Sequence, residues 1–272
     1  MPASMDISRR TAVKLGGAAV IAGGLGSTQV AAHPHDDEET EPEAEEEDQD
    51  LATFRAAHLS PDAPAVDVWA AGIGILEDVS FKTVSEYFPA VPDTYRLQVA
   101  PTGEHPDGAV IDEEVDVPAG DFTIAAIGEV ADENQPLEAL VLEDDNSEPE
   151  SDMARIRAVH TAPDAPNVDI VADGDALFED VAYTGAAYAE VPAGEYDLSV
   201  YAAGDRDESV FDVDVSLDAG TVSSAFAVGY LDPDAAPADE PFDIVLTTDL
   251  GPEDDIDEDD DVDDAEDEET EN

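Results

Sequence analysis

The stretch HLSPDAPAVDVWAAG, His58–Gly72, returns about a hundred residues later as HTAPDAPNVDIVADG, His160–Gly174. Its punctuation reads as backbone mechanics. A strand ending at His58 meets Pro61, which has no N–H to give a sheet ladder, and Pro64 sets a second bend. Asp62 between them is placed to close an Asx turn on the backbone that follows. The chain re-enters a strand at Val66, with Asp67 on the face opposite Val66 and Val68, while His58 shares a face with Phe54 and Ala56. The expectation is a crossover between strands built on His58, Pro61 and Pro64, and in the second copy on His160, Pro163 and Pro166. Each His should be buried and hydrogen-bonded.

The likeness extends outward from the string in both directions. Phe54–His58 (FRAAH) aligns with Ile156–His160 (IRAVH), YFPAVPDTYRLQV (Tyr87–Val99) with YAEVPAGEYDLSV (Tyr188–Val200), and VPAGDFTIAAIG (Val117–Gly128) with LDAGTVSSAFAVG (Leu217–Gly229). A period this long marks a duplicated domain, since solenoids repeat every 20 to 50 or so residues. Alternation of period two in Tyr95/Leu97/Val99, Tyr196/Leu198/Val200 and Phe211/Val213/Val215, broken regularly by Pro, Gly and Asp, predicts strands throughout. The fold class expected is all-β: two tandem immunoglobulin-like antiparallel β-sandwiches of about seven strands each. They span residues 52–148 and 153–251, with sheets wet on one face. Tyr95 and Tyr196, opening equivalent strands, are placed to fix a corner of each sandwich. The short acidic join Asp144–Asp152 predicts a tandem pair without one fixed angle.

The string R-x-x-H-x-x-P-D-A-P-x-V-D-V, the Tyr87/Tyr95 and Tyr188/Tyr196 pairs, and the closing apolar runs Leu140-Val141-Leu142 and Ile244-Val245-Leu246 resemble the family called domain of unknown function 4397. The resemblance covers Thr53–Asp145 and Ala154–Asp249. It implies extracellular β-sandwiches, often in tandem, of bacterial and haloarchaeal surface proteins, and it carries no activity. Asp93 departs from the pattern where the second copy has Gly194, which predicts a distorted turn there.

The charge sets the chain's surroundings. There are 71 acidic residues against 9 Lys+Arg, a formal net charge of −62. Two runs too polar to bury a core, residues 33–51 and 252–272, are expected to be a disordered acidic linker and tail. The body between them still holds 44 acidic and 6 basic residues, so its self-repulsion asks for salt. Screening reaches about 10 Å in dilute buffer and about 3 Å in molar salt, which predicts a halophilic protein surrounded by screening cations. Nucleic acid is excluded as a partner, because binding it takes clustered cations. Residues 1–32 carry Arg9-Arg10, an apolar run from Leu15 to Leu25 and small residues to Ala32, the order of an export signal. Ser8-Arg9-Arg10 and Lys14 resemble a twin-arginine signal, which implies a secreted or cell-surface address. No later run is long enough for a transmembrane segment in the mature chain.

Candidate chemistry is sparse. Cysteine is absent, which removes thiol nucleophiles and Cys-ligated metals. Asp62 and Asp67, with Asp164 and Asp169, are the candidate Ca²⁺ ligands, although two carboxylates per copy fall short of the six to eight oxygens that ion takes. His33-Pro34-His35 offers imidazoles, but Pro34 has no amide to lend a copper site. Ser60 beside His58 and Asp62 suggests a nucleophilic trio, yet the second copy has Ala162 there, and no G-x-S-x-G turn or cofactor motif occurs. Trp69 and Tyr87, aromatics richer in the first copy, are the candidate ligand contacts. The reading is an exported, non-catalytic β-sandwich protein for adhesion, envelope association or ligand binding, its partner an envelope protein or a glycan. The alternative is a secreted hydrolase with one degenerate repeat.

Overall fold

The computed structural model describes residues 51–131 and 134–251. The readings placed on residues 1–32, 33–50 and 252–272 lie outside the described residues. The first copy runs β1 (Ala52–His58), β2 (Val66–Ala70), β3 (Ile73–Val79), β4 (Thr83–Val84), β5 (Phe88–Ala90), β6 (Asp93–Pro101), β7 (Ile111–Val117), β8 (Gly120–Ile127) and β9 (Glu138–Asp144). The second runs β10 (Met153–His160), β11 (Val168–Ala172), β12 (Asp175–Val181), β13 (Ala186–Pro192), β14 (Gly194–Ala202), β15 (Phe211–Leu217), β16 (Val222–Val228) and β17 (Asp243–Leu250). No α-helix occurs among the described residues.

Each copy is a two-sheet sandwich. In the second, the orders are β13-β10-β16-β17 and β12-β11-β14-β15; in the first, β3-β2-β6-β7 faces a sheet in which β1, β8 and β9 follow β4 and β5. The pair β4/β5 stands where the second copy has the unbroken β13, because the Ser85 hydroxyl takes the Ala56 N–H that a backbone carbonyl would otherwise accept. The all-β sandwich expectation is met, with one difference: β1 runs parallel to β8, and β10 to β16. Period-two alternation reports which face a residue occupies and is blind to the direction of its neighbour. Tyr95 Oη donates to the Val91 carbonyl and Tyr196 Oη to the Pro192 carbonyl, each at 2.5 Å, so both tyrosines fix a corner as expected. Asp93 occupies the register that Gly194 holds, paired with Val117 as Gly194 is with Leu217, and the expected distortion is not found.

Val66, Val68, Leu97, Val99, Phe122 and Ile124 fill the first sandwich, and Ile156, Val168, Ile170, Phe178, Leu198 and Val200 the second. The cores differ in filling. The second has Phe211 and Phe242 packed together, with Ile244 beside them. The first has Ile111, Leu137 and Ala139 at those positions, and a small apolar cavity of about 20 Å³ lined by Ile111 and Ala139 remains.

A third apolar cluster belongs to neither sandwich. Ala57, Leu59, Ala125 and Ile127 of the first copy pack on Val159, Phe226 and Val228 of the second. The β1 and β10 sheets therefore stack face to face, and four layers result. The expectation of sheets wet on one face fails for these two, and every residue of β16 is buried. The free angle expected of the join fails with it, since the join starts from a buried residue, Asp144.

Candidate functional site

The repeated string is built into the fold identically in both copies. His58 and His160 are each 1% exposed. Each ring meets the carbonyl three residues beyond the first proline: His58 Nε2 lies 3.0 Å from Pro64 O, and His160 Nε2 3.0 Å from Pro166 O. A carbonyl can only accept, so Nε2 carries a proton in both rings. Burial, the larger cause, holds both imidazoles below their ordinary range against the opposing carbonyl bond. Phe81 and Tyr183 pack edge-on against the two rings.

The aspartates of the string reach far along the sequence. Asp62 accepts from the N–H groups of Val130 and Ala131 at 2.8 Å each, and Asp164 from Leu231 and Asp232 at 2.9 and 3.0 Å. The local Asx turn expected at Asp62 is replaced by a clamp on a loop about 70 residues away. That loop starts at Gly128 or Gly229, where φ is +80° or +78° and a side-chain carbon would collide with the carbonyl of Pro136 or Pro241. Asp67 accepts from Asp78 and Gly103, and Asp169 from Asp180 and Gly204, pinning two loops apiece. The N–H groups of Gly103 and Asp78 hold the Asp67 carboxyl below its usual range; those of Asp180 and Gly204, with Arg206, do so for Asp169.

These partners decide what the string can do. Both oxygens of each candidate Ca²⁺ ligand already accept backbone N–H donors, and no three His, Asp or Glu side chains converge as a metal set among the described residues. Ser60 lies at the 3.5 Å limit from Asp62, and His58 turns away from both, towards Pro64. The structure therefore does not bring His58, Ser60, Asp62 and Asp67 to one solvent-open point.

What it does bring together is a buried ionic quartet between the copies. Arg55 and Arg157, 1% and 0% exposed, stand at matching positions of β1 and β10. Each reaches the terminal carboxylate of the other copy: Arg55 Nη1 to Asp249 at 2.6 Å, Arg157 Nη1 to Asp144 at 2.5 Å. Their Nε atoms donate to Thr123 at 2.9 Å and Ser224 at 2.8 Å, and those hydroxyls donate in turn to Asp144 and Asp249. Tyr87 and Tyr188 lie against the guanidinium groups at 4.8 and 5.4 Å, and Phe226 sits 5.9 and 5.8 Å from the two. Two cations meet two anions, and the charge closes to zero without solvent.

Tyr87, expected as a ligand contact, is a member of this quartet's wall. Burial pushes its hydroxyl pKa up, so it stays protonated and donates to Asp144 at 2.6 Å. Lys82 to Asp243 at 2.9 Å and Arg155 to Asp145 at 2.9 Å add two bridges near the rim. Glu129, 1% exposed beside Tyr230, lies beyond the apolar cluster. Burial pushes its carboxyl up, yet donors from Asn134 and Gln135 bring it below its usual range. Sealed from solvent, it is a structural anion.

One sequence signal pointed to the quartet: with six cations in the body, an Arg kept at the same place in both copies is conspicuous. The carboxylate partners gave none, being two among dozens.

Trp69 has the opposite setting. It is partly exposed on the outer face of the β3-β2-β6-β7 sheet, its indole Nε1 3.4 Å from where a side-chain carbon on Gly74 would stand.

Fold and site thus define a tandem β-sandwich protein whose two copies share a buried, charge-neutral seam. Residues 52–171 and 159–252 match the family model described as Domain of unknown function (DUF4397), and the chain belongs to that family. No curated protein matches it. Among solved structures it is similar to the C-terminal domain of AlgF from P. aeruginosa, at 16% identity over 37% of this chain and 99% of that one, TM-score 0.26. It is also similar to a streptococcal virulence factor described for α-glucan binding, at 12% identity over 64% and 92%, TM-score 0.22. A third is CBMbc (family CBM26) from Eubacterium rectale Amy13K, solved with maltoheptaose, at 8% identity over 75% and 98%, TM-score 0.23.

Proposed function

We propose that the chain is an exported, non-catalytic surface protein, a stiff acidic double sandwich that binds an envelope protein or a glycan and works in molar salt. The observation that carries this reading is that the His and both Asp residues shared by the two strings are engaged in holding backbone, each imidazole through Nε2 and each carboxylate through both oxygens. His58, Ser60 and Asp62 do not converge on solvent, so this trio lends no support to the alternative of a hydrolase with one degenerate copy. The buried seam supports stiffness, because moving one copy against the other would expose two ion pairs. Export rests on the twin-arginine pattern of residues 8–14, and the salt requirement on the net charge of −62.

Two measurements test it. Replacing Arg9-Arg10 with Lys-Lys should strand the chain inside a producing haloarchaeal cell while the unaltered chain reaches the surface or medium. Residues 33–272 immobilised in molar salt should retain a component of envelope extract; an extract that passes unretained, or hydrolysis of an envelope polymer, would overturn the reading.

A further inference from the structure

We propose that the outer face of the first sandwich is a saccharide-binding platform centred on Trp69. This rests on the binding role proposed above and names its ligand class and its surface. Four residues form one row across the sheet: Gly74 on β3 pairs with Trp69 on β2, Trp69 with Gln98 on β6, and Gln98 with Asp112 on β7. Neighbouring strands stand about 4.8 Å apart, so Trp69 and Asp112 are about 10 Å apart, a span of about two pyranose rings.

The parts of the row are held still. Gly74 has no side chain, and the indole lies beside it, at the van der Waals distance a side-chain carbon there would keep. Gln98 is 6% exposed, its amide donating to the Pro106 carbonyl at 3.0 Å. Arg96, on the same face, grips Asp112 through two donors at 2.7 and 2.5 Å. This gives an aromatic plane at one end and a fixed carboxylate–guanidinium pair at the other, on an otherwise polar sheet.

That combination matches an uncharged sugar chain. A pyranose presents a C–H face that packs on an aromatic ring, and hydroxyls that both donate and accept around its rim. Asp112 supplies acceptors, Arg96 and the indole N–H supply donors. Anionic ligands are repelled by Glu114 and Asp116, which share the face. A purely apolar ligand would need more than one aromatic side chain to shelter it.

The duplication provides an internal control. At the matching positions the second copy has Ala176, Val171, Ser199 and Asp212, with Asp197 in place of Arg96. The same fold there lacks both the aromatic plane and the cation, so the row is not something the sandwich needs in order to form.

The chain has a single Trp, so its fluorescence reports this face alone. Residues 33–272 in molar salt would be titrated with cellohexaose, maltohexaose and chitotetraose. The expected result is a saturable change in Trp emission with at least one of them. By calorimetry, W69A should weaken that binding about thirtyfold or more, the usual weight of a Trp anchor, with the melting temperature retained. W69F should recover part of the affinity, and V171W in the second copy should add none. No emission change with any of the three sugars up to the tens of millimolar range overturns the proposal, whether or not W69A folds. So does binding that survives W69A. Envelope retention that persists while the sugars stay silent would sink the platform and leave the broader binding role standing.

Discussion

Replacing Arg157 with Met is the sharpest test of the seam. Methionine fills much of the arginine stem's space but removes the guanidinium, so Asp144 loses its 2.5 Å partner and Ser224 the Arg157 Nε donor. The second guanidinium does not step in well, since Arg55 Nε is 3.9 Å from Asp144. Breaking a buried pair from one side costs about 3–5 kcal/mol, because the remaining charge stays desolvated. For a body of about 200 residues, each kcal/mol lowers the melting temperature by roughly 2–4 °C, so R157M should lose about 10 °C. Urea unfolding in molar salt, followed by circular dichroism, is the assay. The unaltered chain should unfold in one transition, because neither copy can leave without exposing the quartet; R157M should split it or lower its midpoint sharply. Adding D144L removes the stranded anion, and a coupling of at least about 2 kcal/mol between the two substitutions is expected. The cost of R157M should also persist from moderate to high salt, as ions do not screen a sealed pair the way they screen surface charges. A loss under about 1 kcal/mol, or a coupling near zero, would refute the seam as the joint that unites the copies.

Two glycines with similar φ should respond differently: G220A, at +75° with open space around it, should cost about 1–2 kcal/mol, the ordinary price of left-handed backbone. G229A, at +78° against the Pro241 carbonyl, should cost about 4 kcal/mol or more, read as urea midpoints. A139V should partly fill the first core's cavity and, at about 0.8 kcal/mol per methylene less some strain, gain about 1 kcal/mol; an unchanged melting temperature would mean that the lining has already closed. His58 and His160 both sit below the ordinary 6.5 when folded, so below that pH the unfolded chain binds more protons than the folded one. Stability should therefore fall as pH drops through 6.5 towards the folded values, with a slope of at most about 2.7 kcal/mol per pH unit for two groups, and H58Q/H160Q should flatten that slope.

Much of the fold was legible because it rests on local pattern. Alternation marked the strands, the two tyrosines marked the corners, and the repeat marked the duplication. That each His is buried and hydrogen-bonded was legible for the same reason, since its partner lies six residues away. Asp62 was misread because its partners lie in a loop about 70 residues away, and a sequence favours the nearest backbone N–H as the explanation for an Asp between two prolines. The seam was missed for a different reason. Arg55, Ala57 and Leu59 alternate with Phe54, Ala56 and His58, and a stripe headed by an arginine reads as a wet face until a second sheet is known to cover it. Tyr87 was misassigned with it, because an aromatic in the richer copy looks like a ligand contact when the cation it covers is not in view.

The disposition of positive charge ties these points together. Of the six cations in the body, Arg55, Arg157, Lys82 and Arg155 all bridge the two copies, leaving Arg96 and Arg206 for the outer sheets. A cation on so acidic a surface gains little in molar salt, where an exposed pair is worth about 0–1 kcal/mol and screening acts within about 3 Å. Sealed beneath Tyr87, Tyr188 and Phe226, the same charge keeps its full effect and makes its short pair with a carboxylate arriving from the other copy. The scarcity of cations then becomes a source of specificity: dozens of carboxylates face solvent, but only Asp144 and Asp249 are carried by the last strands into reach. It also explains why one outer cation stands apart in kind. Arg206 serves loops of the second copy through Asp169 and Glu179, whereas Arg96 pins a single exposed carboxylate beside the chain's single indole, on a face that the fold does not require.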